Sequence, residues 1–265
     1  RFRAFNPALG ATWALSPGLT AYGNASQGNR APSPIELGCS DPDNPCILPN
    51  ALQADPPLKQ VIARSLEAGL RGEALPGWRW NAGVFSTTNR DDILFISNGR
   101  AAGYFANFGK TRRQGLELGL SGRSGAFDAA LHYTRLAATY RSPACLVSQA
   151  NSTANSSSLC TGEDEIEVRS GDRLPGLPEN VFKLDVGWRG LPGLPNLRIG
   201  ANLQAQSGLY VRGNENNRHQ SDGADFHGSG RTAGFAILNL QARWQVAPGW
   251  TVLGKVNNAF DRRHA

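Results

Sequence analysis

The most regular feature of this sequence is an alternation of apolar and polar residues with a period of two. It is clearest in the segments 181–189, 197–206 and 236–246, where nearly every second residue is apolar. Successive side chains of a β-strand point to opposite faces, whereas a helix would distribute the same residues around its circumference. The pattern therefore predicts strands that each have one apolar and one polar face.

We predict ten such strands, and many exceed about ten residues, which is long for a strand of a globular protein. They span residues 2–15, 19–29, 64–75, 78–97, 103–122, 127–140, 178–190, 197–212, 232–246 and 250–260. A tilted strand needs about 9–11 residues to cross the lipid and can extend beyond it. These lengths favour an all-β fold, namely a segment of an antiparallel transmembrane β-barrel.

The connections between the predicted strands are of two kinds, short and long. The short ones contain glycine, in most cases after proline, and lie at 16–18, 75–77, 123–126, 191–196 and 247–249. The long ones run through 30–63, 141–177 and 213–231, and a brief one lies at 98–102. Short periplasmic turns and long external loops are typical of outer-membrane barrels, whereas a β-sandwich has no reason to alternate in this way.

The tryptophans support the same interpretation. All six lie within a few residues of a short turn, at Trp13, Trp78, Trp80, Trp188, Trp244 and Trp250. Indole combines an apolar ring with one N–H donor and prefers the interface between lipid and water. We therefore expect these side chains to form a girdle at one membrane boundary, because the tryptophans of a soluble core would not gather at one end of the strands.

Composition and charge exclude several other classes of protein. Apolar residues make up 40% of the chain, and no apolar run approaches the roughly 18 residues of a membrane-spanning helix. The net charge is +6, from 27 basic and 21 acidic residues. The arginines are scattered along the sequence, whereas nucleic-acid binding needs them clustered on one face. We therefore expect no nucleic-acid partner.

The four cysteines form two local pairs within polar, turn-rich segments: Cys39 with Cys46, and Cys145 with Cys160. Their spacing does not match a zinc site. We expect two disulfides that each close a loop, which implies an oxidising compartment.

No constellation of catalytic residues is visible, and the sequence contains neither G-x-S-x-G nor H-E-x-x-H. His219 and His227 share a segment with Asp222 and Asp225. Their irregular spacing favours a solvated polar loop over a metal site. We therefore expect no enzymatic activity, no metal and no cofactor.

Four motifs carry a family resemblance. The segment 29–37 (NRAPSPIEL) is similar to an R-A-P-S-x-x-E-L stretch, and 107–117 (NFGKTRRQGLE) is similar to an N-x-G-x-x-x-x-x-G-x-E strand. The segment 174–180 (LPGLPEN) resembles a proline-rich start of a late strand, and 257–261 (NNAFD) resembles N-N-L-F-D with Ala259 in place of Leu. In this order and spacing, the motifs resemble those of the TonB-dependent receptor family.

The resemblance implies that residues 1–265 form one partial barrel domain, with about ten of the family's roughly 22 strands. The family's plug domain, TonB box and closing strand have no counterpart here. The chain opens within a predicted strand and shows no signal peptide. We therefore expect it to be the C-terminal barrel part of a longer protein.

The resemblance further implies an outer-membrane receptor that binds a scarce nutrient, in the first place a ferric siderophore, and imports it with energy from the TonB complex acting on the plug. Outer-membrane lipid and lipopolysaccharide would surround it. Polar residues expected to face the hydrated lumen are Glu67, Arg71, Lys183, Asp185, Asn202, Gln204, Gln241 and Arg243. Candidate ligand contacts near the external ends are Arg30, Arg100, Tyr104, Arg173, Tyr210 and Arg212.

Three alternatives stay open at this point. The candidate arginines could give a cationic mouth that suits an anionic ferric chelate, or they could simply meet lipopolysaccharide or solvent. A passive porin would share the barrel but not the plug. A secreted soluble β-sandwich, such as an adhesin, would bury the apolar positions Leu184, Leu203 and Leu240 beneath a second packed layer.

Overall fold

The computed structural model describes residues 2–41, 58–97 and 103–263, and most of their regular structure is β-strand. The elements in chain order are β1 (Ala8–Ser16), β2 (Leu19–Arg30), α1 (Pro34–Gly38), β3 (Val61–Leu75), β4 (Trp78–Ser97), β5 (Gly103–Ser124), β6 (Phe127–Tyr140), β7 (Ala144–Val147), β8 (Glu165–Val168), β9 (Asn180–Leu191), β10 (Leu194–Gln206), β11 (Phe235–Ala247) and β12 (Trp250–Val256). Ten strands form one open antiparallel sheet in the order β1-β2-β3-β4-β5-β6-β9-β10-β11-β12. β7 and β8 form a separate hairpin. The predicted antiparallel barrel segment of about ten strands is confirmed.

Two-residue turns join the strands at one end of the sheet. Gly18 and Gly77 each follow a proline and have φ near +80°, a conformation that an L residue with a side chain rarely adopts. Proline fixes φ at the turn position before the glycine, so each Pro-Gly pair reverses the chain within two residues. The short turns lie where the sequence predicted them.

The pairing register separates an apolar face from a polar face. Leu184 lies opposite Leu131 of β6 and Leu203 of β10, while the adjacent Asp185 lies opposite Asn202. Directly opposed residues of neighbouring strands share a face of the sheet. The period-two alternation therefore continues in register from strand to strand and gives the sheet two chemically distinct faces.

The apolar face carries no second layer within the described residues. Leu66 is 63% exposed, Val84 54% and Leu240 42%. The buried hydrophobic cluster lies instead at the loop end and includes Phe108, Ala138, Tyr140, Ile166, Val168 and Leu174. This single sheet with an uncovered apolar face is not the arrangement of a soluble β-sandwich.

Glycines allow large side chains to lie flat on the polar face. A Cβ added to Gly69 would lie 2.5 Å from the Ala82 carbonyl oxygen and 2.6 Å from the ring of Tyr22. A Cβ at Gly83 would meet the Tyr22 hydroxyl at 2.6 Å. The Tyr22 ring therefore occupies the space that these two glycines leave, as side chains do where two strands approach closely.

Three predicted strand ends are wrong, and the others lie within three residues of the observed bounds. β1 begins at Ala8 rather than residue 2, since Pro7 has no N–H to donate to the ladder. β10 ends at Gln206 rather than 212, where the Ser207 hydroxyl accepts the backbone N–H groups of Glu179 and Asn180 in place of a further ladder bond. β12 ends at Val256 rather than 260, because Asn258 adopts a positive φ of 50°.

Two predicted loops contain regular structure that the sequence analysis missed. The segment 30–63 holds α1, which begins with a capping box in which Ser33 and Glu36 each bond the other's backbone N–H. The segment 141–177 holds β7 and β8. The one helix among the described residues is too short to cross a membrane.

Candidate functional site

The two longest described connections pack against each other at the end of the sheet opposite the short turns. We call residues 141–179, between β6 and β9, the hairpin loop because they contain β7 and β8. We call residues 207–234, between β10 and β11, the polar loop. Ala138 and Tyr140, in the hydrophobic cluster with the hairpin loop, lie on the same face as Arg113 and Thr111. The hairpin loop therefore folds over the polar face.

Buried amide side chains join the two loops. Asn151 is fully buried, and its Nδ2 donates to the Gly213 carbonyl at 2.7 Å and to Asn216 Oδ1 at 3.3 Å. Asn216 Nδ2 in turn donates to Thr153 Oγ1 at 2.7 Å, and the Ser148 hydroxyl donates to the Gly213 carbonyl at 2.7 Å. Buried polar groups with satisfied partners fix one arrangement of the elements that carry them.

A second set of hydrogen bonds, one of them an ion pair, joins the same two loops. Arg218 donates to the Glu167 carbonyl at 3.1 Å and to Asp172 Oδ1 at 3.2 Å. His219 Nδ1 accepts the Ser152 backbone N–H at 3.1 Å. His219 thus has a structural partner from the hairpin loop. Arg173 contacts the polar loop through its backbone N–H, which donates a hydrogen bond to Asn217 Oδ1.

The hairpin loop is also braced internally. The predicted disulfide between Cys145 and Cys160 is confirmed. Hydrogen bonds from Arg169 and from the Ser157 hydroxyl lower the pKa of Glu167 to about 2, so this carboxylate stays charged and bonded in all but strong acid. The loop is therefore held by one disulfide and by the ion pairs Arg169–Glu167 and Arg173–Glu179.

The structure describes one of the two cysteines of the second predicted disulfide. Cys39 is disulfide-bonded, and its predicted partner Cys46 lies outside the described residues. In the described part of the chain, one group of potential metal ligands, Cys145, Cys160 and Glu165, has its ligand atoms within 4.8 Å. The two sulfurs are bonded to each other, so they offer no thiolate to a metal.

A cavity of about 660 Å³ lies between the loop ends of β4, β5 and β6 and the two loops. Its wall is apolar over most of its extent, formed by Leu94, Phe95, Ile96, Phe108, Leu146, Val147, Leu174 and Leu177. A smaller set of polar side chains lines the rest, namely Ser97, Arg113, Tyr140, Ser148, Gln149, Arg212 and Glu215. An apolar concavity of this size with a few polar groups is the usual form of a ligand site.

Of the predicted ligand contacts, two arginines are engaged in ion pairs. Arg30 bonds Glu36 through two nitrogens, at 2.6 and 3.0 Å. Arg173 bonds Glu179 at 2.6 Å, and this hydrogen bond holds the pKa of Glu179 below its usual value. An ion-paired guanidinium attracts an anionic ligand less than a free one does.

The other predicted contacts differ in their placement. Arg212 lines the cavity and lies over the Phe95 ring at 5.7 Å. Tyr104 lies in β5 opposite Ile96, a residue of the cavity wall. The ring of Tyr210 is covered by Arg231 at 4.6 Å, and Arg100 lies outside the described residues. Among the predicted contacts that the structure describes, Arg212 is therefore the one that lines the cavity directly.

Sequence reasoning missed the other residues of the cavity wall, of which Tyr140 and Phe108 are examples. Tyr140 was assigned to a strand end, and nothing in the alternation marks it as part of a site. Phe108 lies within the N-x-G motif, so its position was noticed while its role was not. The signal that finds both is tertiary, since their rings pack together with centroids 4.9 Å apart.

The eight residues predicted to face the lumen share the polar face. Lys183 lies opposite Gln204, Asp185 lies opposite Asn202, and Asn202 donates to Asp185 at 3.0 Å. By the same register Glu67, Arg71, Gln241 and Arg243 point to this side. Their placement on one face agrees with the predicted pattern, and the assignment of that face to a pore stays a prediction.

The polar face also carries an ion cluster that the sequence analysis did not single out. Asp128, near the β5–β6 turn, accepts hydrogen bonds from Arg198 at 2.6 Å and from Arg189 at 3.2 Å. These residues come from β6, β10 and β9, so only the strand register brings them together. The cluster joins three strands at the short-turn end.

The tryptophans lie on the opposite, apolar face. Trp188 lies opposite Ile199, and Trp244 opposite Leu197 and Val252. Trp13 and Trp250 are each 72% exposed, which is not the environment of a core tryptophan. All six indoles lie near the short turns, and the membrane girdle stays a prediction.

Comparison with known proteins identifies the family. The model "TonB dependent receptor-like, beta-barrel" matches residues 1–259. Among solved structures, the ferric-catecholate import receptor Fiu from Escherichia coli K12 aligns with a TM-score of 0.64 and 19% identity, over 97% of this chain and 31% of its own. The ferric yersiniabactin uptake receptor FyuA from Yersinia pestis aligns with a TM-score of 0.66 and 19% identity, over 97% and 32%. The copper transporter OprC aligns with a TM-score of 0.66 and 18% identity, over 97% and 34%.

These alignments establish the fold, and the chain spans about a third of the length of the solved structures. TonB-dependent receptor barrels are outer-membrane transport proteins of Gram-negative bacteria. The single ten-stranded sheet with polar and apolar faces, the short turns at one end and the long loops at the other are what a partial barrel of this kind requires. The chain therefore belongs to the TonB dependent receptor-like β-barrel family.

Proposed function

We propose that this chain forms part of the barrel of a bacterial outer-membrane receptor that imports a ferric siderophore with energy supplied through TonB. The observation that carries the proposal is the family match over residues 1–259, in a chain whose two loops enclose a cavity over the polar face. Fiu and FyuA are named for ferric ligands and OprC for copper. Iron chelates are thus favoured, with a copper complex as the second candidate.

We propose that the polar face lines the hydrated interior and that the apolar face contacts lipid. An uncovered face carrying exposed Leu66, Val84 and Leu240 is unfavourable in water and favourable in hydrocarbon. Exposed Trp13 and Trp250 at the short-turn end fit the periplasmic membrane boundary. The loop end then lies outside the cell, where lipopolysaccharide surrounds the barrel.

The charges of the loops indicate whether a ferric chelate would be recognised at long or at short range. The hairpin loop contains three arginines and six carboxylates, so it does not attract anions over a distance. Arg30 and Arg173 are neutralised by Glu36 and Glu179. We therefore propose that recognition occurs at short range, with Arg212 in the cavity as the main cationic contact.

The proposal includes two further parts of the system. A plug domain encoded elsewhere in the full-length receptor would contact the polar face and carry the segment that TonB pulls. The TonB requirement separates this mechanism from a passive porin. A porin with the same barrel would pass its solute down a gradient without TonB.

The test is uptake of iron by cells that have or lack the full-length receptor. A deletion strain and its complemented parent are supplied with single ferric siderophores labelled with radioactive iron, each in a TonB-positive and a TonB-negative background. The proposal expects one siderophore whose uptake needs both the receptor and TonB. Uptake that needs the receptor but not TonB identifies a passive barrel, and copper-limited growth as the only defect identifies a copper ligand.

A further inference from the structure

Four cations lie together at the loop end of β3, β4 and β5, on the side of the sheet that carries the apolar residues. Arg64 lies two residues from the exposed Leu66 and therefore shares its face. The pairing register puts Arg64 and Arg112 in one row, on either side of β4. Arg90 and Lys110 lie opposite each other in the next row. We call Arg64, Arg90, Lys110 and Arg112 the basic patch.

No carboxylate of the described residues forms an ion pair with the basic patch. The other positions of its two rows carry uncharged side chains, namely Gln27, Asn29, Ile62, Thr88 and Thr139. The two carboxylates that follow Arg90 in the sequence have cations of their own. Asp91 lies 3.9 Å from Lys59. Asp92 accepts a hydrogen bond from Arg113 at 3.3 Å. The basic patch therefore presents a concentrated positive charge that an anion can neutralise.

Local hydrogen bonds hold two of the guanidiniums apart. Arg64 Nε donates to Gln27 Oε1 of β2 at 2.9 Å. Arg112 Nε donates to Thr88 Oγ1 of β4 at 3.2 Å. Arg64 thus leans towards β2 and Arg112 towards β4, which keeps the two groups about two strand spacings, or roughly 10 Å, apart. Their terminal nitrogens make no hydrogen bond within the described residues, and such a pair of nitrogens can bind two oxygens of one phosphate.

In the proposed orientation, the basic patch lies at the depth where lipid headgroups begin. Trp78 lies at the short-turn end of β4, and Arg90 lies twelve residues further along the same strand. At about 3.4 Å per residue and a strand tilt of about 40°, this separation is about 31 Å along the membrane normal. The apolar band of an outer-membrane barrel is about 25 Å tall. The patch therefore lies just outside the hydrocarbon, on the lipid side of the barrel wall.

A ligand that matches the basic patch has more than one anionic group. A single phosphate can bind the terminal nitrogens of Arg64 or those of Arg112, but the roughly 10 Å between them prevents it from binding both. We propose that the basic patch binds an outer-leaflet glycolipid through two phosphate groups, one on each of these arginines. Arg90 and Lys110 add charge in the neighbouring row. The inference rests on the proposed function, because it needs the apolar face in lipid and the loop end outside the cell.

The test measures binding of three lipids to the purified, delipidated full-length receptor in nonionic detergent by native mass spectrometry. The first probe is a hexa-acylated glucosamine disaccharide with two phosphates, the second is the same lipid without phosphate, and the third is phosphatidylglycerol, which has one phosphate. We expect the first probe to bind at least tenfold more tightly than either of the others. Arg64→Gln/Arg112→Gln should weaken binding of the first probe by about 25-fold, since each cation near a lipid surface contributes about fivefold. It should leave binding of the phosphate-free lipid within about twofold.

Two further double variants serve as controls. Arg79→Gln/Arg123→Gln removes the same charge from the polar face at the short-turn end and should leave binding of the diphosphorylated lipid within about twofold. Arg64→Lys/Arg112→Lys keeps the charge and should keep this binding within about fivefold, which separates loss of charge from loss of fold. Equal weakening in the two glutamine variants, or equal affinities for the diphosphorylated and phosphate-free lipids, would overturn the inference. Equal affinity for phosphatidylglycerol would overturn it as well and identify a phospholipid site.

The uptake experiment separates this inference from the proposed function. Binding of the diphosphorylated lipid that depends on Arg64 and Arg112, in a receptor that transports no ferric complex, supports the basic patch and contradicts the proposed function. Transport of a ferric siderophore by a receptor that binds the three lipids equally supports the proposed function and contradicts the assignment of the basic patch.

Discussion

Asn151→Ala tests how much one buried amide contributes to the contact between the hairpin loop and the polar loop. The substitution removes the hydrogen bonds that Asn151 donates to the Gly213 carbonyl and to Asn216, and those that it accepts from the Thr153 backbone N–H and hydroxyl. The sheet itself does not involve this residue. We expect the two loops to separate more readily while the barrel strands stay paired.

The magnitude follows from the partners that remain. Two hydrogen bonds between the loops are lost, each contributing about 1 kcal/mol. The Gly213 carbonyl keeps the Ser148 hydroxyl, and the Thr153 hydroxyl keeps Asn216. The Thr153 N–H is left without a partner, which costs about 1–2 kcal/mol more where the site stays buried. The free energy of loop separation should therefore fall by about 2–4 kcal/mol.

Hydrogen exchange on the full-length receptor measures this change. Backbone amides of residues 213–219 should exchange about 30- to 700-fold faster in Asn151→Ala than in the unaltered protein, since each 1.4 kcal/mol is a factor of about ten. Asn155→Ala is the matched control, because Asn155 is exposed and bonds Asp164 within its own loop. Unchanged exchange in Asn151→Ala, or equal acceleration in both variants, would refute the reasoning.

Three further predictions follow from the sheet and the loops. Gly69→Ala should lower the free energy of unfolding by about 1–3 kcal/mol in urea titrations of the receptor in detergent, whereas Gly28→Ala, with nothing within 4 Å of the added methyl, should change it little; equal effects would contradict the close packing. The pKa of Glu167 is lowered on folding, so its contribution to hairpin-loop stability is present above about pH 4.3 and lost as the pH falls towards about 2. Hydrogen exchange of the hairpin-loop amides, measured across this pH range, should show the loss in the unaltered protein and not in Glu167→Gln. In outer-membrane preparations, a bimane label at Leu240→Cys should be quenched by brominated lipid and one at Gln241→Cys should not, and the reverse result would invert the proposed faces.

The strands and their faces were predictable because a single physical rule sets them. Period-two alternation places Leu184 and Asp185 on opposite sides, and the observed register with Leu203 and Asn202 repeats that division in the next strand. Pro-Gly pairs fixed the tight turns for the same reason, since they determine local backbone angles. Rules that act over two to four residues are therefore sufficient for most of the sheet.

The site was less predictable because its contacts join distant parts of the chain. Asn151 and Asn216 are 65 residues apart and hydrogen-bond in the interior. Each is an ordinary polar residue in a polar segment, so the sequence alone indicated exposed loops. The error at β12 has the same origin on a smaller scale, because Asn258 leaves the strand where its backbone N–H donates to the side chain of Asn239 in β11.

The way in which the loops are held bears on how the proposed receptor would select a ligand. Ion pairs neutralise Arg30 and Arg173, while the buried amides and the Cys145–Cys160 disulfide brace the segments around the cavity. A braced site loses little conformational entropy on binding, so affinity depends on fit and on the few donors left unpaired. The hairpin loop carries more carboxylates than arginines, so this loop does not itself attract anions over a distance. Under the proposed function, we therefore expect selection at the cavity, where Arg212 lies over the Phe95 ring beside the apolar wall.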